Sequence, residues 1–312
     1  MHKCSKSFKN CRKTCEDKKR MRGISNSSGK DGTNRCSKTE VQKCNNSGSL
    51  KKGSLRVVGI GPGGSEHITK RAISAIDKAE VIVGYTTYIE LLEEGLKKGK
   101  EVISTGMMKE IERCKAAIEK AKQGKNTVIV SGGDPGIYGM AGLILELLSL
   151  EDLIDKINLE IIPGVPALCA ASALLGAPIM HDFVSISLSD LMTPWELIKK
   201  RIILALEGDF VIVLYNPSSK KRKRKLKEAI ELIREKKGDK VPVGIVKDAT
   251  REGEEIIITD IRSIDPEVVD MRTILIIGNS TTKIHDGFMI TPRGYEDKYE
   301  SFEKFKALRK KL

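Results

Sequence analysis

Four stretches of this sequence have residue types that could do chemistry, and each directly follows a short apolar run: GIGPGG (59–64), SGGDPGIYG (131–139), IPGVPAL (162–168) and LYNPSS (214–219). Glycine lets a backbone approach a ligand closely, and proline sets the turn that holds the approach. In the second stretch Gly132 and Gly133 permit that approach and Pro135 fixes the turn, while Asp134 either caps the following helix or accepts a hydrogen bond from a ligand. GIGPGG satisfies G-x-G-x-x-G, which by itself points to a dinucleotide. Two details argue against that reading. Pro62 puts a ring where a pyrophosphate needs free N–H groups, and the next apolar run ends in Gly84-Tyr85, not in an acidic residue that would hold a ribose. Proline-and-glycine loops after successive strands suggest one shaped pocket for a small molecule.

These loops need an α/β frame to converge, because parallel sheets place ligands at the carboxyl ends of their strands. The sequence supplies one. From Leu55, short apolar runs alternate with amphipathic stretches, the signature of α/β architecture. In the first half, strands are expected at 55–61, 79–85, 101–105, 126–133 and 158–164, with helices at 69–78, 88–98, 109–123 and 139–149. In the second half, helices are expected at 166–175, 195–206 and 220–237, with strands at 183–190, 209–217, 242–249, 254–261 and 271–279. Pro163–Pro166 marks a boundary, giving domains 55–165 and 166–295, followed by a polar C-terminal helix over 296–312.

Charge and cysteine usage separate the remainder. The chain of 312 residues has a formal net charge of +13, but residues 1–54 hold fifteen Lys/Arg against four Asp/Glu, which leaves 40 against 38 for the other 258. That segment has no sustained apolar period and is expected to be a disordered basic tail. No signal-like apolar run and no stretch of about 20 apolar residues is present, so the expectation is a cytoplasmic protein without membrane segments. Cys4, Cys11, Cys15, Cys36 and Cys44 lie in the tail at irregular gaps. They could hold a metal or iron–sulfur cluster, or belong to a variable extension. The run KKRKRKLK (220–227) opens a helix whose Leu226, Ile230 and Ile233 form a stripe interleaved with glutamates, so a solvated helix face is favoured over nucleic-acid binding.

GIGPGG, SGGDPGIYGMAG and IPGVPA, in this order and spacing, resemble the tetrapyrrole methylase superfamily of class III methyltransferases. HDFVSISLSDLMTPWE (181–196), VLYNPSSKKR (213–222), IGNSTT (277–282) and MITPRGY (289–295) are similar to its precorrin-3B carbon-17 methyltransferase family. The resemblance implies two α/β domains with a trough between them, a homodimer, and S-adenosylmethionine as cofactor, released as S-adenosylhomocysteine. It also implies methyl transfer to carbon 17 of precorrin-3B or cobalt-factor III. Ring contraction would follow as an acetate side chain closes to a lactone and carbon 20 begins to leave the ring.

Carried over by motif, cofactor contacts fall on Gly132, Gly133, Asp134, Ile137, Pro166 and Ala167. From the second domain they fall on Tyr215, Asn216, Asp248, Ala249, Thr273 and Ile274. Pro62 and Gly63 would line the trough floor near the transferred methyl, and Lys247, Arg251 and Arg293 would pair with substrate carboxylates. For acid–base work in contraction the candidates are His181, Asp182, Asp190, Ser187 and Ser189. The alternatives are a surface histidine at 181 and a helix cap at Asp190. Two positions depart from the superfamily pattern. Gly64 stands where many members have aspartate, and Pro166 where many have Ser or Thr. Three rivals are another tetrapyrrole carbon, ribosomal RNA held by the basic tail, and a nicotinamide oxidoreductase.

Overall fold

The computed structural model describes residues 53–218 and 223–298, all within one compact unit. The first half runs β1 (Ser54–Gly59), α1 (Lys70–Asp77), β2 (Val81–Tyr85), α2 (Thr86–Glu90), α3 (Glu94–Lys97) and β3 (Glu101–Thr105). It continues through α4 (Glu110–Lys122), β4 (Asn126–Ser131), α5 (Ala141–Leu150) and β5 (Asn158–Ile162). The five strands form one parallel sheet in the order β3-β2-β4-β1-β5. Its central strands β1, β2 and β4 are buried on both faces, which is why they read as continuous apolar runs, while the edge strands β3 and β5 are partly exposed. Val57, Val83 and Ile129 turn toward α4 and α5, while Val58, Ile82 and Val130 turn toward α1 and α2. The helix expected over 88–98 is two short helices. The chain bends between them to bury Leu92, and Lys97 Nζ reaches back to the Ile89 carbonyl oxygen.

The second half runs α6 (Ala167–Leu175), β6 (Gly176–Ala177), β7 (Phe183–Ser187), α7 (Trp195–Glu207), β8 (Val211–Tyr215) and α8 (Lys223–Lys237). It ends with β9 (Pro242–Lys247), β10 (Glu255–Asp260), β11 (Thr273–Ile277), β12 (Lys283–His285), β13 (Phe288–Ile290) and α9 (Tyr295–Lys298). The second sheet has the order β10-β9-β11-β8-β7 and mixes directions. Only β7 and β8 pair parallel; the other three pairs are antiparallel. The connection from β9 to β10 is too short for a crossover, so the strand must return beside its neighbour in the opposite sense. One face packs on α7 and α8, where Leu226, Ile230 and Ile233 are buried as the stripe requires; the other packs on α6. A small third sheet, β12-β13-β6, had no counterpart among the expected strands.

The tail cysteines and residues 299–312 of the expected C-terminal helix lie outside the described residues. Among the described residues no group of three or more His, Cys, Asp or Glu could hold a metal ion, and no helix is long and apolar enough to cross a membrane.

Candidate active site

The first sheet has its topological switch at β1 and β4, which are adjacent while their following helices go to opposite faces. A crevice is expected at such a point. The three proline-and-glycine loops of this half leave β4, β1 and β5, three neighbouring strands, and they are knitted backbone to backbone. Gly61 N–H donates to the Gly133 carbonyl oxygen at 3.2 Å, and Gly133 N–H returns the bond to Gly61 at 2.7 Å. Gly133 adopts φ +66°, a conformation that glycine enters without a Cβ penalty. The Asp134 carboxylate ties the third loop in, accepting from Gly136 N–H at 2.8 Å and from Gly164 N–H at 3.1 Å. Both carboxylate oxygens therefore serve the loops themselves.

The second sheet offers its edge to the same place. Because β11 runs antiparallel to β8 and β9, the end of β8, the end of β9 and the start of β11 share one edge. That edge carries Tyr215, Asn216, Asp248 and Thr273. Ile137, Ala167, Tyr215, Ala249 and Ile274 all belong to or pack against one apolar cluster, so the structure brings these expected contact residues together. Contacts between the halves close around them. The Tyr138 hydroxyl donates to the Ser185 carbonyl oxygen at 3.0 Å, and its ring lies 5.1 Å from that of Tyr215. Gly64 N–H donates to Thr250 Oγ1 at 3.2 Å, and Arg251 Nε donates to the Pro62 carbonyl oxygen at 2.6 Å.

The remaining expected residues divide. Ser187 Oγ accepts from Asn216 Nδ2 at 3.0 Å, at the edge just described, and Asn216 holds φ +49°. Asp190 is not the cap of α7; Pro194 occupies that position, and Asp190 lies 3.8 Å from Lys225 Nζ. His181 and Asp182 sit before β7 begins, about 16–20 Å of extended chain from Ser187. There the Asp182 N–H donates to His181 Nδ1 at 2.7 Å, and both side chains are exposed. Lys247 lies 3.8 Å from both Glu255 and Asp270, the Thr273 hydroxyl is bonded to Asp270, and Arg293 is exposed. Tyr138 and Thr250 escaped the sequence reading. An aromatic inside a glycine–proline loop was the available signal for the first; the second had none.

Two groups decide whether a nucleoside-type cofactor fits. Asp248 is 4 % exposed with φ +49°, and while Oδ2 lies 3.2 Å from Arg272, Oδ1 has no partner. A buried carboxylate oxygen without a donor is costly, and here it lies in a loop beside the apolar cluster, suited to a ligand N–H. Tyr215 is the second. Its hydroxyl accepts from Leu168 N–H at 3.0 Å, satisfying one of the donors left over in the first turn of α6, which has no side-chain cap of its own. Burial pushes the Tyr215 phenol up to about 12.

That value carries a sign. Because the folded state holds the phenol above its ordinary value near 10, its contribution is complete below that pH and is lost as pH rises from about 10 through 12. Tyr215→Phe should therefore lose about 1–2 kcal/mol at pH 8, where Leu168 N–H loses its acceptor, and the gap to wild type should shrink at pH 11. Urea unfolding at the two pH values checks this; a gap that is constant or widens contradicts it.

Fold and loops together define an α/β protein built to hold a small ligand between two sheets at a strand switch point. The family model described as Tetrapyrrole (Corrin/Porphyrin) Methylases matches residues 54–265, and the chain belongs to that family. It is 52% identical over 241 residues to a probable cobalt-factor III C(17)-methyltransferase of Salmonella typhimurium, covering 77% of this chain and 99% of that one. It is 39% identical over 249 residues to a precorrin-3B C(17)-methyltransferase of Sinorhizobium sp, covering 78% and 97%. Among solved structures it resembles the methyltransferase CobJ with a TM-score of 0.74 at 34% identity, covering 77% of this chain and 100% of that one.

Proposed function

We propose that this chain transfers a methyl group from S-adenosylmethionine to carbon 17 of cobalt-factor III or precorrin-3B, with contraction of the macrocycle, in cobalamin biosynthesis. The observation that carries the reading is the convergence of the three knitted loops of the first sheet with the Tyr215–Asp248–Thr273 edge of the second. The similarity to carbon-17 methyltransferases across nearly the whole length of those relatives supports the choice of carbon. We also propose the division into domains 55–165 and 166–295, a cytoplasmic location and a homodimer.

Bound S-adenosylmethionine supplies an activated methyl on a sulfonium, so the protein's work is alignment and exclusion of water. In this reading the backbone of Gly132 and Gly133 faces the cofactor, Ile137, Ala167, Ala249 and Ile274 give it a dry wall, and Asp248 Oδ1 accepts an N–H of its base. Asp134 and Pro166 hold the loops in shape. Tyr215, Asn216 and Thr273 brace the opposite edge, and Pro62 and Gly63 form the floor below the macrocycle. Acid–base assistance is assigned to the carboxyl end of β7, where Ser187 and Asp190 lie, with His181 and Asp182 at its far end as second choices. Lys247, Arg251 and Arg293 are the cations offered to substrate carboxylates.

The test is anaerobic incubation with S-adenosylmethionine and each substrate, followed by mass and absorption spectra of the product. A gain of one methyl on either macrocycle is expected, and the same gain from a chain lacking residues 1–53, since the family match begins at residue 54. No methylation of either substrate by a protein that binds S-adenosylhomocysteine would sink the reading.

A further inference from the structure

Arg113, on the first turn of α4, is a charge without a counter-charge. It is 3 % exposed, and its guanidinium is satisfied by neutral acceptors alone: Thr105 Oγ1 at 2.8 Å, the Gly106 carbonyl oxygen at 2.9 Å and Met140 Sδ at 3.6 Å. Among the described residues, no carboxylate lies within 4 Å of it, nor of Arg251. A buried cation normally has a paired anion, because desolvation otherwise costs several kcal/mol. The position of this one is informative.

The Arg113 guanidinium stands 5.6 Å from the centre of the Tyr85 ring, at the carboxyl end of β2. Tyr85 meets Tyr88 edge to face, with centroids 5.3 Å apart. Tyr88 lies against the cofactor loop so closely that a Cβ on Gly132 would fall 2.6 Å from its Cζ. On the far side Arg251 lies over the GPG turn, its Nε on Pro62 and its Cγ where a Cβ on Gly63 would be. Two guanidiniums thus bracket a pair of phenols at the rim formed by β1, β2, β3 and β4. Burial raises the Tyr88 phenol and outweighs the lowering by Arg251 and Arg113, so its hydroxyl stays protonated and can donate.

We propose that Tyr88, backed by Arg113 and Arg251, is a carboxylate-binding subsite that takes one peripheral carboxylate of the macrocycle beside the Gly132–Gly133 loop. This rests on the tetrapyrrole reading above. A hydroxyl donor in a positive field favours an anionic oxygen over a neutral one, and the charge that the protein leaves uncompensated is completed when substrate arrives. Tyr88 then holds the ring over the floor at Pro62 by a contact made equally in the bound ground state and the transition state, which makes it a substrate-binding residue.

The probe is uroporphyrin III, with its octamethyl ester as the uncharged comparison, titrated against the whole protein by porphyrin fluorescence, with S-adenosylhomocysteine binding measured in parallel. Tyr88→Phe should weaken uroporphyrin III about tenfold, the loss expected for one hydrogen bond to a charged group, and should leave the ester and S-adenosylhomocysteine unchanged. In turnover, KM should rise with kcat held within about twofold. Arg113→Gln, if its melting temperature is that of wild type, should weaken uroporphyrin III as well; if it does not fold, Tyr88→Phe decides alone. Uroporphyrin III bound within twofold of wild type by Tyr88→Phe, or ester and acid bound alike by wild type, overturns the subsite. Wild type that binds S-adenosylhomocysteine but neither porphyrin overturns the tetrapyrrole reading instead.

Discussion

Gly164→Ala should cost about 3 kcal/mol, lower the melting temperature by about 6–12 °C and weaken S-adenosylhomocysteine at least tenfold. The residue sits where the loops after β5, β4 and β1 press together. A Cβ there would enter the Gly133 carbonyl oxygen and lie 2.8 Å from the Gly59 carbonyl carbon. Approached from the other side, a Cβ on Gly59 would lie 2.6 Å from Gly164 N and 2.7 Å from Gly133 O. Every obstructing atom is backbone, and each belongs to a loop that must hold its place for the crevice to exist. No rotamer can absorb the methyl, so one loop has to move. Moving the third loop also pulls Gly164 N–H from Asp134, which fixes the second. Gly142→Ala in α5 is the matched control. Nothing lies within 4 Å of the added carbon, and alanine for glycine in the first turn of the helix should be neutral or stabilise by up to about 0.5–1 kcal/mol. Calorimetry and ligand titration on the two variants read the contrast, and a Gly164→Ala protein as stable as wild type would mean that the loops are not interlocked.

That contact explains which parts of the molecule the sequence could disclose. The central strands of the first sheet, β1, β2 and β4, were legible because each is buried on both faces and ends at or beside a glycine, so a continuous apolar run and its stop signal coincide. The loops were legible as loops, and their order as a family pattern. What joins them was not. Gly59, Gly133 and Gly164 are far apart in the chain, and nothing local in any of them announces the other two. The third sheet was hidden for a different reason: β6 has two residues and β12 and β13 three each, too short to display any period. Arg113 reads as one more polar residue in EIERCKAAIEK, and its burial depends on Thr105 and Gly106, which belong to the preceding strand and turn. For the site, the family motifs named Tyr215, Asn216 and Asp248 one by one, and the structure sets all three at one edge of the second sheet. That Ser187's end of β7, and not His181's, lies beside Tyr215 needed the parallel pairing of β7 with β8, which composition does not carry.

Asp248→Asn should separate binding from stability more sharply than any other single change. Asp248 is 4 % exposed and has one oxygen on Arg272, itself half-exposed, while Oδ1 has no donor. In the ligand-free protein that oxygen represents a desolvation cost of about 1–3 kcal/mol with nothing to offset it. Asparagine has nearly the same shape and tolerates the φ of +49°, so the backbone of the loop, which carries Arg251 N–H on the Asp248 carbonyl oxygen, should persist. The amide removes the charge and weakens the bond that a cofactor N–H would make to Oδ1. The expected outcome is S-adenosylhomocysteine affinity down about 30-fold, equivalent to about 2 kcal/mol, with the unfolding free energy of the ligand-free protein equal to or above that of wild type. Calorimetric titration and urea unfolding of the same preparation measure both. Affinity unchanged would show that the orphaned oxygen faces no ligand. Affinity and stability falling together would make Asp248 a strut of its loop, its charge needed by Arg272, and would move the recognition of the cofactor base to the loop's backbone.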